Sequence, residues 1–447
     1  MTLPRYPSYK DSGVEWLGEV PGHWEVISIK WLSPVRRGAS PRPIDDPKYF
    51  DHDGEFSWVR IADVSACDGL LSETTQRLSE LGSSLSVKIA PSELFVSIAG
   101  TVGKPCISSI NACIHDGFVY FPALKINPKF LYRIFEGATC YGGLGKWGTQ
   151  LNLNTDTIGS IRIALPPHEE LNQVLEFLDR ETAKIDVLVA EQRRLMALLK
   201  EKRQAVISHA VTRGLNPDVP LKPSGIEWLG DVPGHWEVCK IRRAVSAIEQ
   251  GWSPECYSRP AEDNEWGVLK AGCVNRGVYD QKENKALPEE LAPMLGFEVQ
   301  VGDVLMSRAS GSPELVGSTA LVNSTRPKLM LSDKIFRLRF EAWMDSHFFV
   351  AVLNSRPLRI QIEQALSGGN GLANNLPQSS LLAFFLCVPP LVEQSAICEF
   401  LKIQLAKLDT LTSEAQYAID LLRERRTALI SAAVTGQIDV RSAVASY

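Results

Sequence analysis

Mostly apolar residues recur at alternating steps of three and four in two long segments of the chain. From Ile185 the steps reach residues 188, 192, 195, 199, 202, 206 and 209, and from Leu408 they reach 411, 415, 418, 422, 425, 429 and 432. This heptad spacing predicts two long helices that pack along a common seam. Gly214 and Gly436 stand where the helices are expected to end. Thirty helical residues span about 45 Å.

Short apolar runs separated by Gly, Pro and Asn occupy the chain outside these segments. Runs of this kind are typical of short strands, and brief helical patterns lie between them. We therefore predict an α+β fold. The predicted strands cover residues 56–61, 94–98, 118–121, 304–307 and 335–340, and the predicted short helices cover 128–135 and 346–354.

The chain is an internal repeat. Residues 12–26 read SGVEWLGEVPGHWEV and residues 224–238 read SGIEWLGDVPGHWEV, so 13 of 15 positions of this marker agree. Residues 183–212 and 406–435 agree at 15 of 30 positions. Between these repeats the halves diverge, although a Gly-x-Ser-Pro run at 38–41 returns at 251–254. The order is therefore marker, variable domain and helix, used twice.

The repeat predicts four regions with a pseudo-two-fold arrangement. Residues 1–165 and 215–388 are each a variable domain with its marker, and residues 166–214 and 389–447 are helical regions, the second with a tail. Two related halves joined by paired helices tend towards a two-fold arrangement. A helix of about 45 Å is comparable to the roughly 34–36 Å that separates DNA half-sites in tandem readers.

Composition restricts the class of protein without identifying it. The net charge is −5, and the nine cysteines form no Cys-x-x-Cys pair, which is typical of reduced thiols in a cytoplasm. The longest uncharged apolar run has eight residues, 381–388, whereas a membrane span needs about 20. The first ten residues are polar and contain prolines, so we expect no signal peptide.

No catalytic motif is recognisable. An adenine methyltransferase is expected to carry an Asn or Asp before Pro-Pro-aromatic, and neither Pro166-Pro167 nor Pro389-Pro390 has this context. The run 143–148 matches a dinucleotide fingerprint by letter but lacks a clear βαβ setting, and no P-loop is present. Asp263 with residues 283–285 has a nuclease-like spacing that charged turns often show by chance. His23 and His235 recur inside the markers and are expected to pack or form hydrogen bonds, and we predict no metal site.

Basic and amide side chains near turns and strand ends remain as candidates for DNA contact. Arg can read guanine and Asn or Gln can read adenine, although a single charged side chain is more often a solvated surface residue. The number of Lys and Arg residues minus the number of Asp and Glu residues is +1 for residues 27–165 and 0 for residues 239–388. A DNA-binding face would therefore require basic side chains to cluster in space. The candidates are Arg36, Arg37, Arg42, Arg60, Lys104, Lys146, Gln150, Asn152, Arg242, Arg243, Arg259, Lys270, Arg276, Arg308, Lys334, Asn370 and Asn374.

Five features of the chain together point to one known family. They are the markers, the Gly-x-Ser-Pro loops, residues 304–309 with Val316-Gly317, the Pro-Pro boundaries and the helix ends. In this combination they resemble the specificity subunit of type I restriction-modification systems. The resemblance implies two target-recognition domains joined by long helices in an antiparallel coiled coil, reading a bipartite double-stranded DNA target. It implies two modification (methyltransferase) subunits and restriction subunits as partners, with S-adenosylmethionine, ATP and Mg used by those partners and no cofactor in this chain. The first half has Ile98 where the second has Arg308, so the DNA contacts of the halves are not expected to be equivalent.

Helix positions for partner binding follow from the same resemblance. They are Ile185, Leu188, Leu195, Leu199, Leu408, Leu411, Leu422 and Leu429.

Two alternatives stay open on sequence alone. The chain could be a self-contained DNA methyltransferase or nuclease, against which the absent motifs count. It could also be a repeat scaffold without a DNA role, which gives no reason for the divergence of the two variable domains.

Overall fold

The chain forms two compact units, each of which contains parts of both long helices. The computed structural model describes residues 4–142, 146–147, 150–151, 153–367 and 374–441. Unit 1 comprises Met1–Gln192 and Tyr417–Tyr447, and unit 2 comprises Arg193–Gln416. No helix in the described residues is long and apolar enough to cross a membrane.

Unit 1 is built on two mixed sheets with short helices beside them. Its strands are β1 (Tyr9–Asp11), β2 (Glu19–Pro21), β3 (Glu25–Ser28), β4 (Arg36–Arg37), β5 (Phe56–Val59), β6 (Leu70–Leu71), β7 (Gln76–Leu78), β8 (Val87–Ile89), β9 (Leu94–Ser97), β10 (Pro105–Ser108), β11 (Ala112–Ile114), β12 (Phe118–Tyr120), β13 (Lys146–Trp147), β14 (Gln150–Leu151) and β15 (Arg162–Leu165). Its helices are α1 (Ile29–Leu32), α2 (Ile61–Ala66), α3 (Glu80–Ser84), α4 (Pro128–Glu136), α5 (Thr155–Ser160) and the first part of α6 (His168–Arg213). The sheets have the orders β4-β12-β9-β10-β6 and β7-β5-β11-β8.

Unit 2 has a similar plan with fewer strands in each of its two main sheets, and the larger of them is antiparallel throughout. Its strands are β16 (Leu221–Pro223), β17 (Asp231–Pro233), β18 (Glu237–Lys240), β19 (Val245–Gln250), β20 (Gly267–Leu269), β21 (Asn284–Ala286), β22 (Val304–Ser307), β23 (Ala309–Ser310), β24 (Thr319–Leu321), β25 (Leu329–Met330), β26 (Ile335–Phe340), β27 (Asn374–Asn375) and β28 (Phe385–Val388). Its helices are α7 (Ser346–Leu353), α8 (Arg356–Ser367), α9 (Gln378–Ala383) and the first part of α10 (Leu391–Val434). The sheets have the orders β19-β26-β22-β24 and β21-β20-β25.

The larger sheets of the two units share one strand register. In unit 1, Val119 on β12 lies opposite Arg37 on β4 and Val96 on β9. In unit 2, Phe336 on β26 lies opposite Gln250 on β19 and Met306 on β22. The register makes Arg37 and Gln250 equivalent positions, although the variable domains have little sequence in common. The predicted α+β class is confirmed, and the strand predicted over residues 56–61 ends earlier because a helix begins at Ile61.

Both long helices are confirmed, and each begins about fifteen residues before the repeated segment. Helix α6 has 46 residues and α10 has 44. The first turns of α6 bury Leu171, Val174 and Leu178 in the core of unit 1. The helices end just before Gly214 and Gly436, as predicted, and both glycines have the positive φ that a helix end of this type requires.

Helix segments run antiparallel within each unit. In unit 1, the core that holds the start of α6 also holds Ile430 and Val434 near the end of α10, and Asp186 further along α6 pairs with Arg426 at 3.2 Å. In unit 2, Ile207 and Val211 share a core with Ile397 and Leu401, and Arg203 pairs with Asp409. Because Arg203 and Asp186 of α6 are repeat equivalents of Arg426 and Asp409 of α10, the two ion pairs are the same contact made twice.

The predicted heptad positions are correct at every second step and wrong by one residue at the others. A stripe of buried and half-buried residues on α6 runs through residues 185, 189, 192, 196 and 199, whereas Leu188 and Leu195 are exposed. On α10 it runs through residues 408, 412, 415 and 419, whereas Leu411 is exposed. The helices carry apolar residues on two stripes, and letter spacing alone does not distinguish the buried stripe from the exposed one.

The markers join each variable domain to the first turn of its long helix. The Glu170 carboxylate accepts a hydrogen bond from Trp24 Nε1 at 3.0 Å and lies 2.8 Å from His23 Nε2. A carboxylate in the first turn also suits the positive end of the helix dipole. The equivalent contacts of the second marker join Glu393 to Trp236 at 3.1 Å and to His235 at 2.8 Å. The hydrogen-bonding role expected for the two marker histidines is therefore confirmed.

Candidate nucleic-acid interface

The Gly-x-Ser-Pro loop of unit 1 is fixed to the turn before β12. Ser40 Oγ donates a hydrogen bond to Asp116 Oδ1 at 3.0 Å, and the Gly38 amide donates to the Phe118 carbonyl at 2.9 Å. A side chain at Gly38 would overlap the carbonyl oxygen of His115, so the loop can approach the turn this closely only with glycine there. The motif therefore places the basic residues that flank it beside Asp116.

The same joint is present in unit 2. Ser253 Oγ donates to the Asp333 carboxylate, and the Asp333 amide donates back to Ser253 Oγ at 3.1 Å. A side chain at Gly251 would overlap the Leu331 carbonyl oxygen. We call the contact of Ser40 with Asp116 the Ser–Asp joint of unit 1, and the contact of Ser253 with Asp333 the Ser–Asp joint of unit 2.

A second loop lies beside each Ser–Asp joint with the same backbone hydrogen bonds in both units. In unit 1 the Gly103 amide donates to the Ser97 carbonyl at 2.8 Å, and the Ile98 amide donates to the Gly117 carbonyl at 2.8 Å. In unit 2 the Gly317 amide donates to Ser307 at 2.7 Å, and the Arg308 amide donates to Lys334 at 2.9 Å. Positions 98 and 308 are thus equivalent in backbone and differ in side chain, as the sequence indicated.

Basic side chains of unit 1 gather around Asp116. Arg42 Nη2 donates to Asp116 Oδ2 at 2.8 Å with the Arg42 side chain 71% exposed, and Arg37 Nε donates to the Asp116 carbonyl. Partial burial would raise the pKa of Asp116, but the hydrogen bond from Ser40 and the charges of Arg42 and Arg37 outweigh it and lower that pKa. The carboxylate therefore stays ionised and orients Arg42, the backbone carbonyl of Asp116 orients Arg37, and Arg36 lies exposed on β4.

Basic and amide side chains of unit 2 gather around Asp333 in the same way. Arg308 Nε donates to Asn375 Oδ1 at 3.0 Å and Arg308 Nη1 donates to the Asp333 carbonyl at 3.4 Å. Lys334 Nζ donates to Asp333 Oδ2 at 3.1 Å. Burial would raise the pKa of Asp333, but hydrogen bonds from Ser253 and Lys334 and the charges of Lys334 and Arg308 lower it. Asn374 is adjacent on β27, and its amide donates to the Gly311 carbonyl at 3.2 Å.

Several predicted DNA-contact residues have partners inside the protein instead. Arg259 forms a two-point ion pair with Glu265, with Nη2 to Oε1 at 2.6 Å. Arg243 pairs with Glu237, and Lys270 lies 3.6 Å from Glu283. Lys104 Nζ donates to the carbonyls of Ser65 and Cys67. Arg60 precedes α2, and Arg242 and Arg276 are exposed.

Two predictions lie outside the described residues. Asn152 and Asn370 are in these segments, and for Lys146 and Gln150 only the backbone is described, in the hairpin of β13 and β14. The fingerprint-like run 143–148 lies largely in the same segment.

The nuclease-like residues do not form a metal-binding group. Glu283 faces Lys270, and the buried Asn284 accepts a hydrogen bond from the Ala261 amide at 2.8 Å. Across the described ranges, no group of three or more His, Cys, Asp or Glu side chains is placed to hold a metal ion.

Sequence reasoning missed the acids that organise both clusters. Asp116 and Asp333 were not candidates, because acidic residues are not expected to contact DNA. A usable signal exists in the repeat: each unit has an Asp shortly before the strand that pairs with the residues preceding Gly-x-Ser-Pro. Gln250, at the position of Arg37, was also missed, and its Nε2 donates to the Asp333 carbonyl at 3.1 Å.

Comparison with known proteins finds several relatives of one kind. The EcoEI type I restriction enzyme specificity subunit of Escherichia coli is 32% identical over 53% of this chain, which spans 40% of that subunit. The StySPI subunit of Salmonella potsdam is 22% identical over 94% of this chain and 90% of its own length. The MjaVIII subunit of Methanocaldococcus jannaschii is 23% identical over 95% of both chains. No protein-family model matches this chain.

A solved structure shares the fold. It is a chain from a structure of a type I restriction-modification system, with a TM-score of 0.66 at 15% identity, and the match covers 93% of this chain and 98% of that chain. The StySPI and MjaVIII subunits match nearly the whole length of this chain, through both copies of the repeat. In sequence and in fold, the chain is therefore similar to the specificity subunits of type I restriction-modification systems.

Proposed function

We propose that this chain is the DNA-reading specificity subunit of a type I restriction-modification complex, and that each unit reads one half of a bipartite target. One observation carries this assignment: the two units use the same loop joints and strand register to present different side chains. Arg37 and Ile98 of unit 1 occupy the positions of Gln250 and Arg308 in unit 2. A shared frame with different side chains is what two readers of different sequences require.

DNA contact by an acidic chain requires local clustering of positive charge. The chain has a net charge of −5, yet Arg37 and Arg42 of unit 1 both contact Asp116, and the exposed Arg36 is adjacent to Arg37 on β4. Exposed arginines of this kind contact phosphates and set the position of a protein on DNA, whereas base edges are read in the grooves. The two Ser–Asp joints are therefore the places where we expect base readout to be organised.

Exposed leucines on the long helices support docking of two copies of one partner. Unit 1 exposes Leu188 of α6 and Leu421 of α10, which are 48% and 46% exposed. Unit 2 exposes their repeat equivalents, Leu411 and Leu198, which are 45% and 53% exposed. Two matching apolar pairs suit two identical subunits, which we assign as the methyltransferase subunits.

Other predicted helix positions differ in accessibility. Leu195 is exposed with these pairs, Leu422 and Leu429 are partly buried, and Ile185, Leu199 and Leu408 are buried in the helix packing, where a partner would not reach them. We further propose that restriction subunits join the complex. Methyl transfer, cleavage, and the use of S-adenosylmethionine, ATP and Mg then belong to the partners, and this chain is not itself an enzyme.

A domain exchange tests the two-reader proposal. Residues 27–165 are replaced with the corresponding domain of a relative, and the methylated sequence is mapped in cells that carry the methyltransferase partner. We expect one half of the target to change and the other half to stay. The matched exchange of residues 239–388 should change only the other half.

Two outcomes would contradict the proposal. One is a single exchange that alters both halves together. The other is robust methyltransferase, nuclease or ATPase turnover by the pure chain without partners, which would favour the self-contained enzyme.

A further inference from the structure

We propose that Arg308 reads a guanine in the half-target assigned to unit 2, and that Asn375 positions it for this role; the inference rests on the proposed function. Arginine to the O6 and N7 of guanine is the commonest specific contact in the major groove. Arg308 combines an oriented guanidinium, an anchored backbone and a charge without a carboxylate at ion-pair distance.

The Arg308 side chain is oriented before any DNA arrives. Asn375 Oδ1 accepts from Nε at 3.0 Å, the Asp333 carbonyl accepts from Nη1 at 3.4 Å, and the guanidinium carbon lies 5.4 Å from the ring centroid of the buried Phe336. These contacts leave Nη2 and one N–H of Nη1 for a two-point contact. A planar donor fork that is already held loses less freedom on binding than a mobile one.

The backbone that carries Arg308 is fixed on both sides. Its amide donates to the Lys334 carbonyl at 2.9 Å, and its carbonyl accepts from the Leu376 amide at 2.7 Å. The next residues, β23, pair with β27, which carries Asn375. The side chain and the residue that orients it therefore move as one piece, so a shift of one should disturb the same base contact as a shift of the other.

The charge of Arg308 is free of a direct acidic partner. In the part of the chain that the structure describes, no carboxylate lies within ion-pair distance of its guanidinium, and its acceptors are neutral oxygens. Arg259 and Arg337 of the same unit are both paired with carboxylates. An arginine held by neutral acceptors keeps the positive charge and the donors that guanine recognition uses.

The test uses the full chain with its methyltransferase partner and a duplex library randomised in the second half-target, with methylated sequences read out by sequencing. The wild type should require one G·C pair in that half. Arg308→Ala should relax discrimination at this position alone, by about 5- to 150-fold. Arg308→Gln should move the preference at this position towards A·T, because Gln pairs with adenine.

The positioning role of Asn375 has its own readout. Asn375→Ala should relax the same position less than Arg308→Ala does. Asn375→Asp keeps the Oδ1 acceptor but gives the guanidinium an acidic partner, so it should recover discrimination there only in part. Arg356→Ala serves as a matched arginine control, since Arg356 is exposed in unit 2 and pairs with Glu363. It should leave every position unchanged.

Several results would overturn the inference while leaving the two-reader function intact. They are a second half-target without a required G·C pair, unchanged discrimination in Arg308→Ala, or uniform weakening at all sequences with a lower salt dependence, which would identify a phosphate contact. Unchanged melting and an unchanged first half-target exclude misfolding as the cause of a positive result. A wild-type complex with no bipartite preference would instead contradict the proposed function.

Discussion

The two Ser–Asp joints place a guanidinium at the equivalent backbone oxygen from different segments of the chain. In unit 1 the carbonyl of Asp116 accepts from Arg37, which precedes the Gly-x-Ser-Pro loop, and position 98 is an isoleucine. In unit 2 the carbonyl of Asp333 accepts from Arg308 in the second loop, and the position of Arg37 is held by Gln250. The backbone frame fixes where a reading group can stand, and either loop can supply it. On the proposed function, specificity can therefore diverge without a change of fold.

The contacts of each marker with the glutamate at the start of its long helix, which we call the marker joints, differ from the Ser–Asp joints. Their side chains are identical in the two units, and only their surroundings differ. Trp24 and Trp236 are both fully buried and both donate to a glutamate of the helix start. The side chain of Glu170 is 7% exposed, whereas that of Glu393 is 28% exposed. The same hydrogen bonds therefore have different access to water.

The largest contrast is expected when one leucine pair is changed. Leu188→Glu together with Leu421→Glu alters only the pair of unit 1 and adds charge at exposed positions, so the fold should be kept. We expect the complex to hold one methyltransferase subunit instead of two, measured by native mass spectrometry. The matched double variant at Leu411 and Leu198 should lose the other copy. If either double variant still binds two copies with unchanged affinity, the partner docks elsewhere.

Charge provides the next contrast, because β4 carries Arg36 and Arg37 where β19 carries Glu249 and Gln250. Changing Arg36, Arg37 and Arg42 together to Ala should weaken DNA binding and lower its salt dependence by about one unit of slope per lost phosphate contact. The measurement is binding of the target duplex by the assembled complex at several salt concentrations. Gln250→Ala, the neutral control, should leave the slope unchanged. An unchanged slope in the triple variant would show that this loop faces away from DNA.

The marker joints predict unequal losses of stability for the same substitution. Glu170→Ala leaves the Trp24 N–H buried without its acceptor, which costs about 1–3 kcal/mol. Glu393→Ala should cost less, because water can reach the more exposed site. Chemical denaturation combined with hydrogen exchange would measure the free energy of opening in each unit. Glu170→Gln keeps an acceptor and should recover part of the loss. Equal losses in the two units would mean that water access does not set the cost.

Local patterns in the sequence predicted the elements, and contacts distant along the chain were beyond them. Helix ends at Gly214 and Gly436 and the strand Val304–Ser307 follow from spacing and turn residues within a few positions. The Ser40–Asp116 joint connects residues 76 positions apart, so no local pattern reveals it. The predicted packing seam was correct at only every second position, because each long helix carries two stripes of apolar residues. The sequence could not distinguish Arg259, which forms an ion pair with Glu265, from Arg308, which donates to the neutral oxygen of Asn375. Which partner an arginine finds depends on the fold.

The smallest contrast is at the residue before each joint aspartate, which is His115 in unit 1 and Ser332 in unit 2. The His115 ring lies 4.6 Å from the ring of Phe118 between centroids, and its Nδ1 accepts from the Gly117 amide at 2.8 Å. Burial lowers the pKa of His115, Asp116 opposes this effect, and the charges of Arg60 and Arg37 reinforce it. The folded unit therefore holds the ring in its neutral form.

Acid should accordingly weaken unit 1 more than unit 2. The folded state binds fewer protons at His115 than the unfolded chain does, so the contribution of this ring is complete above the ordinary histidine pKa of 6.5 and is lost as pH falls below it. Hydrogen exchange of β9 and β12, compared with β22 and β26, at pH 7.5 and 5.5 would measure this loss. His115→Asn keeps an acceptor for the Gly117 amide and does not titrate in this range, so the difference between the units should shrink. Equal acid sensitivity of both units, or a loss that persists in the variant, would assign the effect to other groups.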